Sequence, residues 1–88
     1  MWYVYILKCN NGALYTGITN DLKRRVKEHA AGKGGKFTRA FKVDKLLYSE
    51  LSSGRSEALK REAEIKGWTR SNKLALIKKN VLRTYHGV

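Results

Sequence analysis

Glu62 is the residue whose position most needs a chemical explanation. One face of a predicted helix carries mainly apolar residues: Ala58, Leu59, Glu62 and Ile65. The other side carries charged residues: Glu57, Lys60, Arg61 and Glu64. A carboxylate on an apolar face must be protonated, paired with a cation or bound to a metal, because an unpaired buried charge is expensive. The residues alone leave open a salt bridge to one of nineteen Lys and Arg residues.

Two further polar residues border an apolar stripe on an earlier predicted helix. Arg25 and His29 lie one turn apart, beside Leu22 and Val26. We expect both side chains to lie at the edge of the sheet and Arg25 to point toward whatever the core face borders. The neighbouring Lys and Arg residues of this helix are interpreted as a solvated face.

The turn that joins the first two predicted strands decides whether their tyrosines cooperate. A two-residue turn at Asn11 and Gly12 would place Tyr5 and Tyr15 on opposite faces of the hairpin. A three-residue turn with Gly12 in the left-handed region pairs Cys9 with Ala13 and puts both tyrosines on one face. We predict the three-residue form, with Gly17 leaving open space beside the Tyr5 ring.

The elements that position these residues follow from apolar periodicity and from helix start and stop signals. The sequence predicts a hairpin with strands over 2–9 and 13–19, a helix over 21–31 capped by Asn20 or Thr19 and ended by Gly32, and a strand over 43–51. It then predicts a helix that Ser56 caps and that ends near Gly67, and a last helix that begins at Thr69 or Ser71. The order ββαβαα describes one α+β unit, assigned to residues 1–82, with residues 83–88 as a frayed tail.

The charge of the chain makes nucleic acid the first candidate partner. The formal net charge is +12 over 88 residues, which attracts polyanions such as nucleic acid. Composition alone fits a small basic protein that is ribosome-associated or merely soluble equally well. No basic helix carries the long apolar face of a membrane-surface helix, so no membrane partner is expected. The single cysteine, Cys9, cannot form an internal disulfide and no export signal is recognisable, so we expect a cytoplasmic protein.

The glycine-rich and basic segment 32–42 is predicted to be an exposed loop. Its candidate contacts to the phosphate backbone are Lys33, Lys36, Thr38, Arg39 and Lys42. The segment lacks the spacing of a nucleotide-binding phosphate loop, so no nucleotide cofactor is expected. Zinc is not expected either, because Cys and His do not cluster.

The tyrosine tripeptides and the residues after them resemble the GIY-YIG nuclease superfamily, in the family's order. The resemblance extends from Trp2 to about Ile77 and is greatest to the small, stand-alone, uncharacterised bacterial branch. It rests on Tyr3-Val4-Tyr5, Tyr15-Thr16-Gly17, Asn20-Asp21-Leu22 with Arg25 and His29, and Ala58-Leu59 with Glu62. Tyr3 replaces the glycine of the first tripeptide and Thr16 the isoleucine of the second.

The resemblance implies a three-stranded antiparallel sheet flanked by helices and a metal-dependent cleavage of phosphodiester bonds. It assigns Tyr5 to the attacking water, Tyr15 to its support, Arg25 to the scissile phosphate and Glu62 to a Mg²⁺ or Mn²⁺ ion. His29 matches a position near the phosphate or the base. We expect Arg25, the metal and the positive field of the chain to favour the phenolate of Tyr5.

DNA is the expected substrate, rather than RNA, and Arg25 with the metal would lower the barrier to attack on the charged phosphate. The alternative is a nucleic-acid-binding module with the same fold that is non-catalytic or active only with an unidentified protein partner. The sequence carries no recognisable targeting module. Any choice of sequence must therefore come from the basic loop or from a partner.

Overall fold

The computed structural model describes residues 1–33 and 42–86, with side chains through residue 79. The elements follow the predicted order ββαβαα. They are β1 (Trp2–Cys9), β2 (Leu14–Thr19), α1 (Leu22–Ala30), β3 (Val43–Ser52), α2 (Arg55–Lys66) and α3 (Arg70–His86).

The three strands form one antiparallel sheet in the order β2-β1-β3, so the predicted fold class is confirmed. β1 is the central strand, and its residues Val4, Tyr5, Ile6 and Leu7 are all buried. Val4 and Ile6 pack with residues of β3, α2 and α3 in the main core, whereas Tyr5 and Leu7 point to the opposite face. Burial on both faces explains why the sequence of β1 is almost continuously apolar.

The hairpin has the predicted three-residue turn. Gly12 has φ +84°, its N–H donates to the Cys9 carbonyl at 2.9 Å, and the Cys9 N–H donates to the Ala13 carbonyl at 2.9 Å. Tyr5 is therefore opposite Gly17, and Leu7 is opposite Tyr15. This register confirms that Tyr5 and Tyr15 share one face of the sheet.

The start of α1 differs from the prediction by a residue. Asp21 is the N-cap and accepts a hydrogen bond from the Arg24 N–H at 3.1 Å. Asn20 and Thr19 were the predicted caps, but the Thr19 hydroxyl instead accepts from the Asp21 N–H at 3.1 Å and so supports the cap residue. Gly32 ends the helix as predicted, with φ +79° and its N–H donating to the His29 carbonyl.

The predicted cap of α2 is wrong. The helix begins at Arg55 with Gly54 as N-cap and no side-chain cap hydrogen bond, so Ser56 already lies in the first turn. The chain leaves β3 at Ser52 and turns within two residues, which brings the helix start forward. The predicted end at Gly67 is confirmed.

Thr69 caps α3, as one of the two predicted alternatives, and its hydroxyl accepts from the Asn72 N–H at 3.2 Å. The backbone of α3 continues past residue 82 to His86, so residues 83–86, predicted to be part of a frayed tail, are helical. The extent of the domain, 1–82, stays a prediction. Among the helices in the described ranges, none combines the length and the apolar character needed to cross a membrane.

We expect Gly12→Ala to lower the free energy of unfolding by about 1 kcal/mol, because a Cβ is disfavoured at positive φ. Urea unfolding followed by tryptophan fluorescence measures this change. Gly67→Ala is the matched control, since Gly67 has φ −78° and a Cβ there makes only ordinary contacts with helix carbonyls. Equal losses in both variants would contradict the assignment of strain to Gly12.

Candidate active site

The structure brings together side chains from three elements in a cluster of rings. Tyr5 of β1, Tyr15 of β2 and His29 of α1 form its centre. The Tyr5 hydroxyl lies 2.8 Å from His29 Nε2. The ring centroids of Tyr15 and His29 are 5.0 Å apart, and those of Tyr5 and Tyr15 are 6.3 Å apart. The predicted proximity of the two tyrosines and His29 is therefore observed.

Gly17 fixes the position of the Tyr5 ring. A Cβ on Gly17 would lie 2.6 Å from the Tyr5 hydroxyl oxygen and 2.8 Å from Tyr5 Cζ. Both distances are shorter than ordinary van der Waals contacts of a Cβ atom, so the Tyr5 ring would have to move. The predicted open space beside the ring is thus filled by the ring itself, which lies directly on the glycine. This packing aims the hydroxyl at α1 and at His29.

His29 is the buried residue of α1, with 1% of its surface exposed. Burial and the positive charge of Arg25 lower the pKa of His29 to about 4, and the Glu28 carboxylate opposes them only weakly. The imidazole is therefore neutral at neutral pH. A neutral imidazole has one nitrogen that accepts a hydrogen bond.

Arg25 favours the phenolate of Tyr5 as expected, but among the protein's own groups burial outweighs this effect. Burial raises the pKa of Tyr5 to about 12, and the charges of Tyr15 and Glu62 add to this shift, while Arg25 opposes it. Tyr5 is 1% exposed, so the loss of hydration outweighs the attraction of the guanidinium. Tyr5 keeps its proton at neutral pH.

The tautomer of the neutral His29 sets the direction of the hydrogen bond. Arg25 has only donors, so its interaction with Tyr5 uses the hydroxyl oxygen as acceptor. In the tautomer that carries its proton on Nδ1, the Tyr5 O–H donates to Nε2, 2.8 Å away. The cluster thus has a proton donor, Tyr5, hydrogen-bonded to a base, His29, that can take up one proton.

Arg25 lies on the part of α1 that borders the rings. Its Nη1 is 3.3 Å from Glu28 Oε1, one turn along the helix. Burial alone would lower the pKa of Arg25, but the interactions with Tyr5 and Glu28 raise it. The guanidinium is a permanent cation that links the rings to the surface.

Glu62 lies close enough for its charge to raise the pKa of Tyr5. Its side chain is 18% exposed, and Oε2 is 3.3 Å from Lys66 Nζ. The salt bridge left open by the sequence is therefore present. The i,i+4 spacing of Glu62 and Lys66 was the signal that could have identified the partner.

The apolar face of α2 is narrower than predicted. Ala58 and Ile65 are buried, but Leu59 is 39% exposed. The small Ala58 lets the helix approach the sheet, and Glu62 flanks the line of contact instead of lying within it. The carboxylate is consequently accessible to solvent from one side.

Arg61 was predicted to face away from the sheet, and this is wrong. Its Nε donates to both carboxylate oxygens of Glu50 on β3, at 3.0 and 3.2 Å. Its guanidinium lies over the Trp68 ring at 5.2 Å from the centroid, and the Tyr48 hydroxyl donates to Glu50 at 2.6 Å. This ion pair holds α2 on β3, and no local spacing could have revealed a partner so distant in the chain.

The residues available for a metal ion limit its identity. Within 1–33 and 42–86, no group of three or more His, Cys, Asp or Glu side chains is placed to hold a metal. A site here would rest on the single carboxylate of Glu62, which is accessible and close to the rings. Mg²⁺ fits such a site, because it keeps several water ligands and needs one or two carboxylates.

Two of the five residues predicted to contact phosphate lie among the residues that the structure describes. Lys33 and Lys42 are exposed, and the carbonyl of Lys42 accepts a hydrogen bond from the Asn10 N–H at 2.8 Å, beside the hairpin turn. The structure places neither side chain in the ring cluster. Lys36, Thr38 and Arg39 lie outside the described residues.

We expect the neutral, buried His29 to make the protein lose stability in mild acid. The pKa of His29 is lower in the folded than in the unfolded chain, so the unfolded chain binds the extra proton first and stability falls as pH drops from about 6.5 toward 4. The loss is about 3 kcal/mol. Urea unfolding at a series of pH values measures it, and the difference from His29→Gln isolates the histidine.

Titration of the His29 ring by NMR gives an independent control. The ring should stay neutral down to about pH 5. A ring that titrates near its ordinary pKa, or parallel stability curves for the two proteins, would contradict the burial argument.

Comparisons with known proteins identify the family of the chain. Residues 1–75 match the GIY-YIG catalytic domain. UPF0213 proteins of Staphylococcus aureus strains Mu3 and MW2 are 50% identical over 76 residues, covering 86% of this chain and 93% of theirs. The solution NMR structure of a UPF0213 protein from Bacillus halodurans is 41% identical with a TM-score of 0.55, covering 89% of this chain and 84% of that chain. The chain therefore belongs to the GIY-YIG family, whose domain is that of a nuclease.

Proposed function

We propose that this protein is a metal-dependent endonuclease that hydrolyses phosphodiester bonds in nucleic acid, with DNA preferred to RNA. The observation that carries the proposal is the hydrogen bond between Tyr5 and the neutral His29, beside Arg25 and within the electrostatic reach of Glu62. A proton acceptor, a permanent cation and an accessible carboxylate are the groups that hydrolysis of a phosphodiester requires.

Arg25 would bind the scissile phosphate. Its guanidinium already interacts with Tyr5 and holds an ion pair with Glu28 near the surface. A phosphate would replace the Glu28 carboxylate as the partner of Arg25, whose planar fork of donors suits two phosphate oxygens. The charge on the phosphate, which resists nucleophilic attack, would be offset.

Tyr5 and His29 would remove the proton of the attacking water. In this relay the Tyr5 oxygen accepts a proton from water as its own proton passes to His29 Nε2 along the 2.8 Å hydrogen bond. The water oxygen then bonds to phosphorus and the bond to the leaving oxygen breaks. Tyr5 never becomes a free phenolate, which its raised pKa disfavours.

Glu62 would hold the Mg²⁺ or Mn²⁺ ion, whose chemistry is to stabilise negative charge on the phosphate and the leaving oxygen. The carboxylate is paired with Lys66 at 3.3 Å. Glu62 must exchange this partner for the ion, so Lys66 and the metal compete for one carboxylate.

The burial of Tyr5 restricts how the substrate reaches the relay. Tyr5 and His29 are each 1% exposed, whereas Tyr15, Arg25 and Glu62 are partly exposed. The last three would meet the substrate first. Displacement of the Arg25 and Glu28 pair would then give water access to the Tyr5 hydroxyl.

The positive charge of the chain supplies general affinity for the nucleic-acid backbone. Lys33 and Lys42, together with Lys36, Thr38 and Arg39, remain our candidates for backbone contacts. These contacts attract the substrate without reading its sequence.

A module that binds nucleic acid without cutting it, or that cuts only with a protein partner, is the second candidate. The ion pair of Glu62 with Lys66 favours it, because the pair satisfies the carboxylate without a metal. The two candidates differ in whether the protein alone forms a product in a reaction that needs Glu62.

We expect Glu62→Gln to lower the rate of cleavage by about 10³-fold, because the metal loses its protein ligand. Labelled single-stranded, duplex and branched DNA and RNA are incubated with Mg²⁺ or EDTA, and product is measured. Glu57→Gln is the matched control, because Glu57 is on the same helix and forms a comparable ion pair with Lys60 at 3.5 Å. The control should cut as the wild type does.

Cleavage that needs Mg²⁺ and Glu62 but not Glu57 would support the nuclease. Absence of product from every substrate, with equal binding by wild type and Glu62→Gln, would overturn it in favour of the non-catalytic or partner-dependent module. Product that is indifferent to Glu62 would contradict the assigned metal ligand.

We expect kcat/KM to be flat between about pH 5.5 and pH 7.5. His29 acts as a neutral base, and its pKa of about 4 places its protonation below this range. The rate should fall only as pH drops toward 4. A fall in kcat/KM with its midpoint near pH 6.5, the ordinary pKa of histidine, would contradict the relay. Arg24→Ala, which changes an exposed residue of the same helix, is the control variant for the kcat/KM profile.

A further inference from the structure

A small, open pocket lies at the outer edge of β2, next to the ring cluster. Its volume is about 210 Å³, and its lining residues are Leu14, Tyr15, Thr16, Lys66 and Lys73. β2 is an edge strand, so the residues Tyr15 and Thr16, which point to opposite faces, can both border a cavity at this edge. Lys73 has no place in the proposed chemistry, and Lys66 enters it only as the ion-pair partner of Glu62.

The two lysines reach the cavity from consecutive helices. Lys66 is the last residue of α2, and Lys73 lies in the first turns of α3. The short connection through Gly67 joins the two helices, and both side chains line the same pocket. Two ammonium groups that face one cavity repel each other, and an anion between them removes that repulsion.

Thr16 contributes a separate observation. Its side chain is 3% exposed, and its hydroxyl oxygen is buried with no hydrogen-bond partner among the described residues. Buried hydroxyls nearly always have a partner, so an orphan one in the lining of a cavity indicates a missing ligand or water. The hydroxyl oxygen is enclosed, so an oxygen in the pocket can accept from it only after the side chains of the lining move apart.

The charged residues of the lining favour an anion. The accessible lining is mostly apolar, its two charged residues are Lys66 and Lys73, and none of the lining residues carries a carboxylate. A phosphate group is an anion that can accept from both ammonium groups, because its oxygens point in different directions.

The cavity is linked to the candidate active site by two residues. Tyr15 lines the cavity, and its ring is 5.0 Å from the ring of His29. Lys66 lines it too, and its Nζ is 3.3 Å from Glu62. An anion in the cavity would therefore share Lys66 with the carboxylate that we assign to the metal.

We propose that Thr16, Lys66 and Lys73 bind a non-scissile phosphate of the strand that is cut, next to the phosphate held by Arg25. The proposal rests on the proposed function, since it names a binding site for the same substrate. Occupation of the cavity gives Lys66 a new partner and frees Glu62 for the metal. Substrate binding and metal binding are thereby coupled through one lysine.

Lys73→Ala tests the site, because Lys73 is outside the proposed catalytic cluster. We expect KM for cleavage to rise about tenfold with kcat little changed, and the slope of log KM against log salt to fall by about 1, the effect of one lost phosphate contact. Lys78→Ala is the matched control. It removes the same charge from an exposed position of the same helix that does not line the cavity.

Oligonucleotides with one neutral methylphosphonate linkage locate the contact. Moving the neutral linkage along the strand should reveal one position, away from the cut, at which the wild type and Lys78→Ala lose affinity. Lys73→Ala should lose less affinity there, since one of the contacts to that phosphate is already missing. A penalty of equal size in all three proteins would overturn the proposal.

The outcomes separate this site from the proposed function. If the wild type cuts nothing, the nuclease fails, and the equilibrium binding of the same oligonucleotides, measured by fluorescence anisotropy, still decides the phosphate site through its salt slope. If the wild type cuts and the salt slopes of Lys73→Ala and Lys78→Ala are equal, the nuclease stands and the phosphate site is overturned.

Discussion

The hydrogen bond from Tyr5 to His29 is the interaction on which the rest of the site depends. It joins the central strand to α1 at a place with almost no access to water. It exists because Gly17 lets the Tyr5 ring lie flat on β2 and because the three-residue turn sets the register that pairs these residues. Its two partners must both be neutral, and burial ensures that they are.

Burial and positive charge have opposite effects on the pKa of Tyr5 but the same effect on the pKa of His29. Charges at the surface are screened within about 8 Å at physiological salt. Desolvation acts at the group itself and is not screened, so burial is the largest cause of both shifts. Arg25 and Glu62, the charged residues assigned to the site, retain contact with solvent and are each paired with a neighbour, Glu28 or Lys66. A substrate or metal must replace these neighbours.

Features that depend on neighbours in the sequence could be predicted. The turn residues determine the hairpin register, so the shared face of Tyr5 and Tyr15 followed from the sequence. The pairing of Arg61 with Glu50 could not be predicted, because it joins residues far apart in the chain. The same holds for the protonation of Tyr5, which follows from how deeply the sheet and α1 enclose the ring. The predicted roles of Lys36, Thr38 and Arg39 stay predictions.

The rotation of α2 about its axis is the last constraint on the site. Ala58 and Ile65 define the line along which the helix meets the sheet, and the consecutive residues Arg61 and Glu62 flank it. Arg61 Nε donates to both carboxylate oxygens of Glu50 on β3, and its guanidinium lies over the Trp68 ring. These contacts together resist rotation of the helix. Glu62 is thereby held near Tyr5 although its own ion pair is partly exposed. A domain with a modest core can thus position a carboxylate accurately, because an ion pair beside it fixes the helix that carries it.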